Sequence, residues 1–140
     1  MTKAVAIGVA SAETGIKVPT IRYYESIGLL PSLPRTEGNR RLYDRDDLQR
    51  LRFIRHAREL GFEIEPIRQL LALSGHPSTS CERADEIART HLADIDHKIA
   101  RLTALRTEVA RMAECHSGTV EDCRVIEVLG DHAECLTQTH

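Results

Sequence analysis

The chain has 140 residues, which fits one compact domain or a small head joined to an extended element, and its 19 Lys+Arg against 21 Asp+Glu give a formal net charge of −2. That average conceals a split: residues 1–60 are net +4, residues 61–80 net −1 and residues 81–140 net −5, so a basic module able to meet a polyanion precedes an acidic one of different purpose. There is no Trp and the aromatic share is 4%, which excludes a stacking platform for single-stranded nucleic acid, and no stretch is long and apolar enough to span a bilayer.

Met1 to Ala10 is mildly apolar but short, with one Lys and no cleavage site, and reads as mature sequence, not a signal peptide. The expected compartment is the cytoplasm, where four cysteines are expected as thiols. Ile7 to Glu13 predicts a short helix stopped by Thr14-Gly15. A tight connection through Ile16-Lys17-Val18 leads to a second helix with Pro19 in its first turn, where the missing N–H is harmless. That helix runs to about Ser26 and Gly28 closes it. Leu29 to Tyr43, with Pro31, Pro34 and Gly38-Asn39, predicts a hairpin-like excursion turning near Gly38. Asp44 to Leu60 is a helix with Leu48, Leu51 and Ile54 on one buried face, ended by Gly61. Glu63 to Leu73 follows as a short helix, with Pro66 in its first turn and Ile67, Leu70 and Leu71 inward.

Ser74 to Thr79 is the one evident linker. Beyond it Ala88, Leu92, Ile95, Ile99, Leu102, Leu105, Val109 and Met112 form a near-heptad seam with no Gly or Pro. A lone helix with such a stripe needs a partner, and a second copy of the chain is the expected one. After Cys115 come a loop, a short apolar turn and a polar end. The fold class is therefore mainly α, with expected domains at residues 1–75 (head), 76–114 (linker and dimerisation helix) and 115–140 (loop and tail).

Two short helices joined by a Gly-containing turn suggest a helix-turn-helix. With Val18, Ile21 and Tyr24 inward on the second helix, Lys17, Thr20, Arg22 and Tyr23 are left for solvent or DNA phosphates. Arg35, Arg40 and Arg41 bracket the turn at Gly38-Asn39, the tip of a two-stranded wing. Arg45, Arg50, Arg52, Arg55 and Arg58 form a third basic group on the next helix, with Arg55 taken as a further DNA candidate. Tyr43 is either a DNA contact or packing under the wing.

The runs IGVASAETGIKVPTIRYYESIGLLP, RTEGNRRLYDRDDLQRLRFIRHARELGF and IEPIRQLLAL resemble the winged helix-turn-helix head of the MerR family, and the long helix and cysteine tail extend the resemblance over residues 7–130. It implies a homodimer joined by an antiparallel coiled coil of the long helices. It also implies binding to a palindromic double-stranded promoter with over-spaced −35 and −10 elements, which effector binding distorts so that RNA polymerase can use it. By position, Arg22, Tyr23, Arg41 and Tyr43 match DNA-contacting residues of the family. Arg40 departs from it, standing where the wing often has an aromatic.

Three cysteines are candidate metal ligands. Thr79-Ser80-Cys81-Glu82 reads as a capping box that puts Cys81 at the second helical position, where the helix N-terminus favours a thiolate; the alternative is a small apolar residue under the hinge. Cys115 and Cys123 flank seven residues with Gly118 in the middle, a loop that can fold both sulfurs onto one ion. Cys81 and Cys115 lie at opposite ends of a helix of roughly 50 Å, so only an antiparallel dimer brings Cys81 of one protomer to the loop of its partner. Three thiolates suit a divalent soft ion: zinc, cadmium, lead or mercury. The family resemblance points the same way, since Cys at position 81 goes with divalent sensors. The seven-residue loop instead resembles the sensors of monovalent copper, silver or gold. His116 is a candidate fourth ligand, and Cys135 with His132 and His140 an auxiliary set. A regulator sensing oxidation or an organic ligand is the other reading of the fold. A zinc enzyme would need three ligands, an open position and a general base, and no HExxH or similar pairing occurs.

Overall fold

The structure, a computed structural model, describes residues 4–31, 41–114, 118–120 and 123–130. Within them lie α1 (Ile7–Thr14), α2 (Val18–Ser26), α3 (Arg45–Glu59), α4 (Ile64–Ser74), α5 (Glu82–Ala113) and α6 (Arg124–Gly130). The turn expected at Gly38-Asn39, with Arg35 and Arg40, lies outside the described residues, as do Cys115, His116, His132, Cys135 and His140.

The chain divides into two compact units, residues 1–84 and 85–140. In the first, Ala10, Ile16, Ile21, Tyr24, Leu29, Leu30, Tyr43, Leu48, Leu51, Ile54, Ala57, Ile67 and Leu71 make one continuous buried cluster. Each of α1 to α4 contributes to it at helical spacing, which is why those short helices are stable together though none would be alone. The helix ends are set locally. Gly15 adopts the left-handed conformation (φ 75°) and donates its N–H to the Ser11 carbonyl, 2.9 Å, closing α1. Lys17 caps α2 in an extended conformation, with proline in the first turn. Asp44 opens α3 with a complete capping box: its carboxylate accepts from the Asp47 N–H and the Asp47 carboxylate accepts from the Asp44 N–H, both at 2.9 Å.

One pairing was not legible in the sequence. Val5 and Tyr43 form an antiparallel bridge with two backbone hydrogen bonds of 2.8 Å, tying the segment before α1 to the segment before α3.

α5 runs 32 residues, all but its first three in the second unit. Of its seam, Leu92, Ile99, Leu102 and Val109 are each more than half exposed. Leu102, Leu105, Val109, Ala110 and Ala113, with Arg106, line an apolar groove along its C-terminal half. No helix among the described residues is long and apolar enough to cross a membrane.

Candidate nucleic-acid interface and metal-ligand residues

The helix-turn-helix is α1, the Gly15 turn and α2. Ile21 and Tyr24 are buried, which turns Arg22 and Tyr23 outward; both are exposed, as is Lys17, and Thr20 is half-buried. The Tyr23 and Tyr24 rings lie tilted at 6.0 Å between centroids, so the outer ring rests on the inner one.

Next to this face the structure places a carboxylate that sequence reasoning missed. Glu25, its side chain 4% exposed, pairs with Arg41 and accepts the hydroxyl hydrogen of Tyr43. A buried carboxylate without a partner would be strongly disfavoured; here a cation and a phenol satisfy it. The signal available in the sequence was a Glu directly after the inward Tyr24, an inner position that demands a cation.

Of the two readings of Tyr43, DNA contact or packing, the geometry favours packing: it is fully buried, the largest such side chain of the head, and its hydroxyl is committed to Glu25. Burial pushes its pKa up, with the Arg41 and Arg22 guanidiniums acting in the opposite direction and Asp47 adding to the rise. Arg41 remains half-buried beside it, with part of its guanidinium on the surface.

Three arginines of the basic group on α3 hold backbone carbonyls of the head. Arg55 donates from Nη1 to the Thr14 carbonyl, 2.7 Å, and from Nε to Glu59, 2.9 Å. Arg50 donates from Nε to the Leu29 carbonyl, 2.6 Å, and Arg58 from Nη1 to the Phe62 carbonyl, 2.8 Å. On α4, Arg68 donates from Nη2 to the Ile27 carbonyl, 2.8 Å. Each ends on a backbone carbonyl at or just beyond the end of a helix, groups the helix itself cannot satisfy. The positive count of the head therefore overstates the charge aimed at a ligand.

Cys81 is exposed. Its register differs from expectation: α5 begins at Glu82, and the Glu82 N–H is taken by the Ser80 hydroxyl at 3.2 Å, so Cys81 precedes the first helical residue. Thr79 instead donates its N–H to the His76 carbonyl, 3.0 Å, closing a turn one step before the helix. Arg83, in the first turn of α5, reaches back to the Gln69 side chain on α4 at 2.7 Å. Cys123 is half-buried immediately before α6, and its carbonyl accepts the Glu127 N–H at 3.0 Å. Among the described residues no three His, Cys, Asp or Glu side chains gather in a metal-sized cluster.

A four-helix head carrying an outward-facing second helix, joined to a long helix with an exposed apolar seam, defines a helix-turn-helix DNA-binding regulator. The comparisons give the family: residues 5–74 match the MerR HTH family regulatory protein model and residues 48–112 the MerR, DNA binding model, and the chain belongs to the MerR family. It is a family of transcription regulators, not of enzymes. The chain is 38% identical over 126 residues to heavy metal-dependent transcription regulator 2 of Rhizobium meliloti (strain 1021), covering 89% of this chain and 86% of that protein. It is 36% identical over 112 residues to the mercuric resistance operon regulatory protein of Serratia marcescens, covering 79% and 76%. Among solved structures it resembles the transcription regulator PbrR691 from Ralstonia metallidurans CH34 in complex with lead(II), with a TM-score of 0.78 and 37% identity over 89% of this chain and 98% of that one.

Proposed function

We propose that this chain is a metal-responsive transcription regulator which binds double-stranded promoter DNA as a homodimer, with a divalent thiophilic ion (zinc, cadmium, lead or mercury) as its effector. The observation that carries the reading is the likeness to heavy-metal regulators over most of the chain, one of them a structure in complex with lead(II). Residues 1–75 supply the DNA contacts through Lys17, Thr20, Arg22, Tyr23 and Arg41, with Arg35 and Arg40 of the wing. Residues 76–114 dimerise through the α5 seam, supported by its exposed Leu92, Ile99, Leu102 and Val109. Residues 115–140 hold the metal loop.

The donor set fits a soft ion. Cys115 and Cys123 of one protomer and Cys81 of the partner subunit supply three sulfurs, with His116 as a fourth donor. The length of α5 supports the cross-protomer ligand: 32 residues rise about 48 Å, and antiparallel pairing sets the start of one α5 beside the end of the other. When loaded, the protein distorts the promoter so that RNA polymerase can use it. The seven-residue spacing of Cys115 and Cys123 favours a second reading, a sensor of monovalent copper, silver or gold that needs only two sulfurs.

Reporter induction by a panel of metal salts tests both. Wild type is expected to respond to divalent ions. Cys81→Ser should lose that response with operator binding intact, and Cys115→Ser and Cys123→Ser should lose response to every metal. A full divalent response in Cys81→Ser removes the cross-protomer ligand; a wild type answering copper, silver or gold alone establishes the second reading.

A further inference from the structure

The segments flanking α2 are held by guanidiniums that other helices donate. Before α2, Arg55 of α3 holds the Thr14 carbonyl at 2.7 Å, on the residue preceding the left-handed Gly15. After it, Arg68 of α4 holds the Ile27 carbonyl at 2.8 Å and Arg50 of α3 holds the Leu29 carbonyl at 2.6 Å. The backbone there is shaped to admit them. A Cβ on Gly15 would fall 1.8 Å from Arg55 Nη1, and one on Gly28 (φ 80°) would come within 3.4 Å of Arg68 Nη1. Gly15 serves the turn and also leaves room for the arginine, whereas at Gly28 a Cβ would meet Arg68 only in ordinary contact. Ile27 and Leu29 follow the last residue of α2 on either side of Gly28, with the Gly28 and Leu29 N–H groups already returned to the Glu25 and Tyr24 carbonyls.

We propose that Arg50, Arg55 and Arg68 are positioning residues that fix the pose of α2 against DNA, and are not DNA contacts themselves. The proposal rests on the reading of α2 as the DNA-facing helix. Hydrophobic burial of Ile21 and Tyr24 presses α2 onto the head but is non-directional. A charge-assisted hydrogen bond is directional, and three of them on the segments that enter and leave α2 restrict the sliding and rotation that apolar packing permits. Sequence-specific contact requires side chains placed to a fraction of an ångström, whereas phosphate neutralisation tolerates looser placement. The clamps should therefore govern discrimination between sites more than affinity for DNA as such.

The test uses the full-length dimer and two probes: a double-stranded site enriched by wild type from a random pool, and random double-stranded DNA. Arg50→Gln and Arg68→Gln are each titrated against both over a range of salt. The expected result is a loss of about tenfold in the ratio of selected-site to random-DNA affinity, with the salt slope unchanged, because no phosphate contact has gone. A slope shallower by about 0.9, with both affinities falling together, would mark the arginine as a phosphate contact and overturn the proposal. So would an unchanged ratio. A wild type that enriches no site overturns the DNA reading of α2 and the clamps with it. Should a glutamine variant lose its helical spectrum at the assay temperature, the lysine variant takes its place: reduced discrimination with wild-type random-DNA binding supports the clamp, and wild-type discrimination refutes it.

Discussion

Leu51 and Leu102 are the same residue on the same kind of element, in opposite circumstances. Leu51 on α3 is fully buried; Leu102 on α5 is 65% exposed. The difference runs through both units. In the head the apolar positions of four short helices close over one another, and its long-range polar contacts finish helix ends. On α5 the seam positions present an equally regular stripe that the described residues leave mostly open. One region satisfies its own apolar surface and the other requires a second copy. The proposed function needs both, because a dimer reads two half-sites at a fixed spacing.

The largest effect should come from the open side of that comparison. A charge in the seam, as in Leu102→Glu or Ile95→Glu, removes apolar area from the interface and puts one carboxylate from each protomer into it. The dimer is expected to dissociate and operator binding to be lost, while the head keeps its own unfolding transition. Sedimentation together with a binding titration checks this, and a Leu102→Glu protein that sediments as wild type would show that the stripe faces something else.

The closed side answers differently. Leu51→Ala opens a cavity in the head cluster and should cost about 2–5 kcal/mol, independent of protein concentration. Denaturant unfolding at two concentrations separates it from the seam variant, whose loss is strongly concentration-dependent. Gly15→Ala comes next. The left-handed φ costs an alanine about 1–2 kcal/mol, and its Cβ must also displace Arg55 from the Thr14 carbonyl. The loss should therefore exceed that of a glycine whose Cβ meets nothing within 4 Å, such as Gly8, where alanine should stabilise α1 slightly.

How much of this was legible in the sequence follows the range of the interaction. Period, glycine stops, proline in first turns and the capping residue gave α1 to α5 to within a residue or two, because each is encoded within one or two helical turns. The seam was legible for the same reason. The arginines were not: Arg50 meets a carbonyl 21 residues away, Arg55 and Arg68 carbonyls 41 away, and a guanidinium looks the same in sequence whether it ends on phosphate or on a peptide group. Tyr43 stayed undecided between DNA contact and packing because its partners, Val5 and Glu25, come from two separate earlier segments. The start of α5 slipped because Thr79 and Ser80 compete for one cap within a single turn. Of the candidate metal ligands, residue type and spacing were legible, and Cys115 and His116 lie outside the described residues.

The smallest effect concerns how the head tolerates a buried charge next to the wing base. Asp47 is 7% exposed, closes the capping box with Asp44, and has its pKa raised, chiefly by burial, despite the lowering effect of the backbone hydrogen bond at Asp44. Its folded pKa lies above its unfolded value, so its contribution to stability is fully present below the unfolded pKa and is lost as pH rises through the folded one. Asp47→Asn keeps an oxygen to accept the Asp44 N–H and removes the charge. At neutral pH the variant should match or slightly exceed wild type in urea, whereas Asp44→Ala, which takes away the cap itself, should cost about 1 kcal/mol. As pH falls below the usual carboxylate range, wild-type Asp47 is protonated and any advantage of the asparagine should vanish. Wild type exceeding Asp47→Asn by the same margin at every pH would mean that the hydrogen bond, and not the burial of charge, governs this position.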